Sequence, residues 1–116
     1  AMRAEEVMVY LQRCDTGEPA HVLRLVASAT SLVGMWHAAG LLADAVLPKQ
    51  DAPNLARVNA PKAHGALRLH TVSATTAMRT FVLFSSVAAL LGGAGQANYA
   101  ATNVCLDALA MCRRAH

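Results

Sequence analysis

The stretch from Phe81 to Arg114, FVLFSSVAALLGGAGQANYAATNVCLDALAMCRR, constrains the fold of this chain more than any other. Phe81-Val82-Leu83-Phe84 is a brief, apolar, β-prone run that ends in Ser85-Ser86, and it reads as a buried strand. Gly92-Gly93-Ala94-Gly95 follows as a turn, and the Ala-rich sequence after it predicts a helix carrying Tyr99 and Asn103 on one face, four residues apart. Ser86 and Tyr99 stand thirteen positions apart, so a strand end and a helix start can bring both hydroxyls to one cleft. Such a pair suits chemistry on a carbonyl, whose oxygen needs hydrogen-bond donors as negative charge develops on it.

The rest of the chain repeats the strand-then-helix pattern. Val7-Met8-Val9-Tyr10-Leu11 predicts a parallel strand that ends at Arg13-Cys14-Asp15, and Glu18 to Ala29 predicts an amphipathic helix with Val22, Leu23, Leu25, Val26 and Ala29 as its apolar stripe. Leu32 to His37 (LVGMWH) predicts a second buried strand, closing into Ala38-Ala39-Gly40, where small residues let the backbone approach a ligand. His37, at the end of that strand, is expected to be an orienting or packed histidine rather than a base. Leu41 to Gln50 reads as a loop, and Asp51 with Pro53 two residues later signals a helix start. The helical pattern runs on through Leu55, Val58, Leu67, Leu69 and Val72, with Pro61 expected to kink or divide it. Three strand–helix pairs in alternation imply an α/β architecture with a parallel sheet and right-handed crossovers.

Several functional classes are disfavoured. At 116 residues there is room for one small domain, and 55% hydrophobic against 15% charged residues favours folding over disorder. The net charge of +3 comes from ten scattered Lys and Arg with few aromatics among them, a poor surface for nucleic acid. Cys14, Cys105 and Cys112 form no C-x-x-C pair and fit reduced thiols in an intracellular compartment; Cys105 and Cys112, seven apart on one predicted helix, are expected on a packed or half-buried face. His64 and His70 are six apart, not at the helical spacing of a metal pair, so no metal site is expected. Phe81 to Ala101 lacks charge for 21 residues, but its serines, glycines, Gln96, Asn98 and Tyr99 argue against a membrane span. No signal peptide is expected at the start of the chain.

FSSVAALLGGAGQANYAATN resembles the active-site segment of the ketoreductase domains of modular polyketide synthases and animal-type fatty acid synthases, members of the short-chain dehydrogenase/reductase superfamily. The resemblance extends to WHAAGLLADAVL (Trp36 to Leu47), APKAHGALRLH (Ala60 to His70) and, weakly, RCDTGE (Arg13 to Glu18). It implies a partial Rossmann-type doubly wound parallel sheet over residues 1–116, from the third strand through the active-site helix, without the first two strands or the C-terminal lid. It also implies NADPH-dependent reduction of a β-ketoacyl thioester, carried by an acyl carrier protein, inside a cytoplasmic multidomain synthase. No membrane or nucleic-acid partner is implied.

The resemblance assigns roles residue by residue. Many short-chain reductases place a lysine four residues after the tyrosine; here that position is Asn103. The ketoreductase pattern exchanges the two, taking its lysine from the upstream helix, where Ala60-Pro61-Lys62 matches. Ser86 would then hydrogen-bond the carbonyl oxygen, Tyr99 protonate it, Lys62 tune Tyr99 and hold the cofactor ribose, and Asn103 order a water in the proton relay. Ala38, Ala39 and Gly40 would lie along the ribose and nicotinamide, and Asp15 beside the adenine. Asp15 reads equally as an N-cap of the following helix. Each of the four central residues has a plainer reading alone: a solvated lysine, a strand-end cap, an amphipathic core tyrosine, a mid-helix asparagine.

The glycine-rich phosphate loop of the superfamily, G-x-G-x-x-G after a first strand, does not occur in this sequence; Gly92, Gly93 and Gly95 follow a different strand. That leaves a second reading open, a non-catalytic reductase-like module with a structural or docking role. In a sheet of order 3-2-1-4-5-6 the first predicted strand would have no native neighbour here, so it should stand detached, re-pair against the second, or pair between chains. For stereochemistry, the resemblance leans to a D-hydroxyl product: the position eight before Tyr99 is Leu91, not Trp, and Leu42-Ala43-Asp44 keeps one acid of a Leu-Asp-Asp loop.

Overall fold

A computed structural model describes residues 8–115. Helix α1 (Pro19–Ser28) leads to strand β1 (Gly34–His37), a 3-10 turn (Leu47–Lys49), α2 (Ala52–Asn59), a π-helical turn (Ala60–His64), α3 (Gly65–Val72), β2 (Thr80–Leu83), the short α4 (Ala88–Leu91) and the long α5 (Ala97–Arg114). β1 and β2 pair in parallel, Gly34 with Thr80 through His37 with Leu83. The ladder continues one step at each end, Arg79 N–H to Val33 O at 2.8 Å and Phe84 N–H to His37 O at 3.0 Å. The connection between the strands is helical, as parallel pairing demands.

The α/β alternation is as expected, but the sheet has two strands among the described residues, not three. Val7 lies outside the described residues, and Met8 to Leu11 form no strand and are exposed. A β-prone run becomes a strand only when a neighbour takes its N–H and C=O groups, and none does so among the described residues. Within the single chain the run is detached and is not re-paired against β1. β1 likewise has no second neighbour among the described residues, and its Trp36 is 62% exposed.

The core sits between the helices. Val22 of α1, Val58 of α2, Ala66 and Leu69 of α3, Ala88 of α4 and Leu106 of α5 are buried. α1 packs on α3, while α5 packs across α2, the π-helical turn, α4 and β2. Of the stripe expected on α1, Leu25 and Val26 are half-buried, and Leu23 and Ala29 are exposed. Cys105 and Cys112 are exposed, contrary to expectation, because the buried face of α5 is carried by Asn98, Thr102, Asn103 and Leu106 and the cysteines fall to one flank of it.

The helix start at Asp51 is as expected: its carboxylate accepts the Asn54 N–H at 2.8 Å, with a proline in the first turn. Asp51→Ala should lower stability by about 1 kcal/mol, the usual worth of such a cap. Urea unfolding of the full-length protein checks this, and an unchanged midpoint would show the cap to be idle.

Candidate functional site

The site begins at Pro61. A proline inside a helix donates no hydrogen bond, and its ring crowds the carbonyl four residues back. Here the helix widens instead of ending, and the Gly65 N–H reaches back to Ala60 O across the π-helical turn. Such turns re-aim the side chains they carry. Lys62 is carried inward and is 6% exposed. Its ammonium lies 4.8 Å from the centroid of the Tyr99 ring, a cation–π contact between the divided helix and the first turn of α5. A Cβ placed on Gly40 would sit 3.7 Å from Lys62 Cδ and 3.8 Å from Nζ, so the lysine lies against the small-residue segment Ala38-Ala39-Gly40 that follows β1.

Four-residue spacing on α5 puts Asn103 one turn beyond Tyr99. Asn103 is fully buried, and its Nδ2 donates to the Tyr99 carbonyl at 2.7 Å. That bond orients the amide and leaves Oδ1 buried without a protein donor. Ser86 follows β2 and its hydroxyl accepts the Ala88 N–H at 3.2 Å, fixing it at the start of α4. A depression of about 560 Å³ lined by Ser85, Ser86, Val87, Leu90 and Asp107 opens beside it.

Desolvation pushes the Tyr99 phenol up, but the Ser86 hydroxyl, the Lys62 charge, and hydrogen bonding with Asn103 and Lys62 together outweigh it. The net effect holds the Tyr99 pKa below its ordinary value of 10.0. Lys62, Ser86, Tyr99, Asn103 and Gly40 therefore form one cluster. No group of three or more His, Cys, Asp or Glu placed to hold a metal occurs among the described residues. No helix among them is long and apolar enough to cross a membrane.

Asp15 stands apart from the cluster. It is exposed, and its Oδ1 accepts the Gly17 N–H at 2.8 Å in an Asx turn. The N-cap position of α1 is Glu18, so the capping alternative for Asp15 does not hold; the carboxylate closes the turn before the helix. The link back to the cluster is Thr16, whose hydroxyl donates to Pro61 O at 2.7 Å.

Sequence reasoning missed two contributors, Thr16 and Asn98. His37, expected as an orienting or packed histidine, is buried and bonds the Lys62 carbonyl through Nε2 at 2.9 Å. Asn98, 1% exposed, donates to Ala43 O at 2.8 Å and accepts the Tyr99 N–H at 2.7 Å, joining the loop after β1 to the start of α5. Two further ties reinforce that join, Ala45 N–H to Gly95 O at 2.9 Å and Gln96 Nε2 to Asp44 at 3.2 Å. Gly95 has φ +72°, a conformation that favours glycine, and it lets the turn reach Ala45. Pro61 directly before Lys62 was the one sequence signal that the helix would be rebuilt at this point.

A parallel strand pair joined by helices, with a tyrosine, a lysine and a serine gathered beyond the strand ends, defines a Rossmann-type unit of the short-chain dehydrogenase/reductase kind. A solved short-chain dehydrogenase/reductase from Vibrio parahaemolyticus shares this fold, with a TM-score of 0.76 at 18% identity over 87% of the chain and 51% of that protein. A model of the KR domain matches residues 1–116, and the chain belongs to that family. Polyketide synthase GfsA of Streptomyces halstedii is 47% identical over 88% of this chain, and the hybrid PKS-NRPS synthetase pyvA of Aspergillus violaceofuscus is 39% identical over 97% of it. The first ketoreductase of the tylosin PKS superposes with a TM-score of 0.82 at 41% identity, covering 88% of this chain and 22% of that one. The A-type ketoreductases from a modular polyketide synthase superpose with a TM-score of 0.84 at 36% identity, covering 89% and 22%. The chain spans only 1% and 3% of the two curated relatives.

Proposed function

We propose that this chain carries the proton-donating half of a β-ketoacyl reductase site that uses NADPH, within a polyketide synthase whose acyl carrier protein presents the thioester. The observation that carries this reading is the Lys62–Tyr99 contact at 4.8 Å, made by a buried lysine carried on the π-helical turn. Resemblance supplies the synthase setting, the carrier protein and the choice of NADPH. The residues fit the nicotinamide-ribose end of the cofactor: Gly40 leaves room beside Lys62, and the ammonium and phenol can bind ribose hydroxyls. The nicotinamide, when bound, supplies the hydride.

The proton transfer falls to side chains of this chain. The Ser86 hydroxyl donates to the ketone oxygen and holds it against the Tyr99 O–H. Tyr99 gives its proton to that oxygen as the carbonyl carbon is reduced, and the resulting phenolate is stabilised by the Lys62 charge. Asn103 Oδ1, a buried acceptor with no protein partner, orders the water through which Tyr99 is reprotonated. Reduction of a β-ketoacyl thioester by the full-length protein, followed as NADPH oxidation, tests the reading. No turnover with any acyl chain would favour the non-catalytic module instead.

The product is expected to be the D-hydroxyl. Resemblance supports this: Leu91 stands where members giving the L-hydroxyl carry Trp, and Leu42-Ala43-Asp44 keeps one acid of the Leu-Asp-Asp loop, its Asp44 accepting from Gln96 Nε2. Chiral chromatography of the product checks this; mainly L-hydroxyl would overturn it.

A further inference from the structure

We propose that His37 is a positioning residue for Lys62: its ring N–H holds the Lys62 carbonyl and thereby fixes the turn that presents the ammonium to Tyr99. The inference deepens the reading above and rests on it. The Gly65 N–H closes the π-helical turn on Ala60 O and Lys62 O. Two side chains from distant parts of the chain add bonds to successive carbonyls of the same turn, and a carbonyl oxygen has lone pairs for two donors. Thr16 Oγ1 donates to Pro61 O at 2.7 Å, and His37 Nε2 bonds Lys62 O at 2.9 Å. The turn is gripped from both sides, by the loop before α1 and by the end of β1.

The Lys62 carbonyl only accepts, so Nε2 carries the proton in this contact, as it does in both the Nε2–H neutral tautomer and the imidazolium. Burial lowers the His37 pKa, the bond to Lys62 O opposes it less strongly, and the Lys62 charge adds the smallest lowering; the net shift favours the neutral ring, with Nδ1 bare. The imidazole is 3% exposed. A neutral ring also adds no second positive charge beside Lys62. The Thr16 side of the grip depends on Gly65: a Cβ there would lie 2.7 Å from Thr16 Oγ1 and 2.8 Å from its Cβ, so any larger residue would force the loop away. His37 touches no reacting atom in this scheme. It acts through the backbone of Lys62.

Three variants of the full-length protein separate positioning from mere packing. His37→Gln keeps an N–H near the Nε2 position, His37→Asn draws it back, and His37→Leu removes it. With Asn and Leu, kcat should fall about 10- to 100-fold, the scale of a displaced catalytic group. The basic limb of the kcat–pH profile, and the tyrosinate band lost in Tyr99→Phe on ultraviolet difference titration, should both move to higher pH. Gln should restore both readouts towards the parent. If Leu fails to fold, the Asn and Gln pair decides alone. Unchanged kcat and unchanged tyrosinate titration in folded His37→Asn would overturn the inference. Lys62→Ala, run alongside, separates the two levels: if it leaves the tyrosinate titration in place, the reading of Lys62 itself fails. If it moves the titration while His37→Asn does not, only the role of His37 fails.

Discussion

Tyr99→Phe is expected to lower ketone reduction by the full-length protein at least ~100-fold, the usual scale for a positioned acid. The ring survives the change, so the contact with Lys62 and the packing of α5 remain, and the loss belongs to the proton alone. KM for the thioester should change far less than kcat, because the hydroxyl matters most when charge appears on the ketone oxygen. The pH dependence follows from the same group. Reduction needs the protonated phenol, so the rate falls as pH rises through the Tyr99 pKa. The Ser86, Lys62 and Asn103 surroundings hold that pKa below the usual phenol value of 10.0, which brings the basic limb of the profile down with it. Lys62→Ala removes one of these influences and should move the limb back up. Near-parental turnover in Tyr99→Phe would remove Tyr99 from the mechanism, and a basic limb indifferent to Lys62→Ala would remove the electrostatic link between them.

The parts of this arrangement that were legible in the sequence share a physical property: they follow from local chemistry. Apolar Phe81 to Leu83 with its polar stop, the Asp51 cap and the four-residue step from Tyr99 to Asn103 depend on near neighbours only. Pro61 also acts locally, and a division of the helix was foreseen from it. The π-helical form was not, and the side chains that bond its carbonyls, Thr16 and His37, lie 45 and 25 residues away in sequence. Asn98 was passed over for the same reason: its partner, Ala43 O, is 55 residues away, and nothing in ANYAATN distinguishes a buried linking asparagine from an exposed one. The expected strand at Val7–Leu11 failed in the opposite direction. Its β-prone composition is genuine, but strand formation is a property of a pair, and composition says nothing about whether the partner is present. Long-range pairing therefore accounts for both the missed site residues and the overcounted strand.

The 116-residue chain by itself is expected neither to bind NADPH tightly nor to reduce ketones, even though Lys62, Ser86, Tyr99 and Asn103 are brought together in it. Binding a dinucleotide takes two kinds of contact. In the proposed reading Lys62, Tyr99 and the Ala38-Ala39-Gly40 segment would serve the ribose and nicotinamide end. The pyrophosphate needs backbone N–H groups at a glycine-rich loop and helix N-terminus, and no G-x-G-x-x-G occurs among these residues. Gly92 and Gly95 cannot stand in for it: they follow β2, not a first strand, and Gly95 is committed to the turn against Ala45. The sheet adds a second difficulty. β1 shows an unpaired edge among the described residues and an exposed Trp36 beside it, and an open apolar edge of this kind recruits other strands. Adding the remainder of a ketoreductase domain should cure both defects at once, since a strand laid against β1 would close the edge and bring a phosphate loop to its end. Calorimetric titration of the isolated chain with NADPH should therefore show no saturable heat, while the complete domain binds. Micromolar one-to-one binding by the isolated chain would sink this expectation, and would mean that the ribose end alone, through Lys62 and Tyr99, supplies most of the affinity.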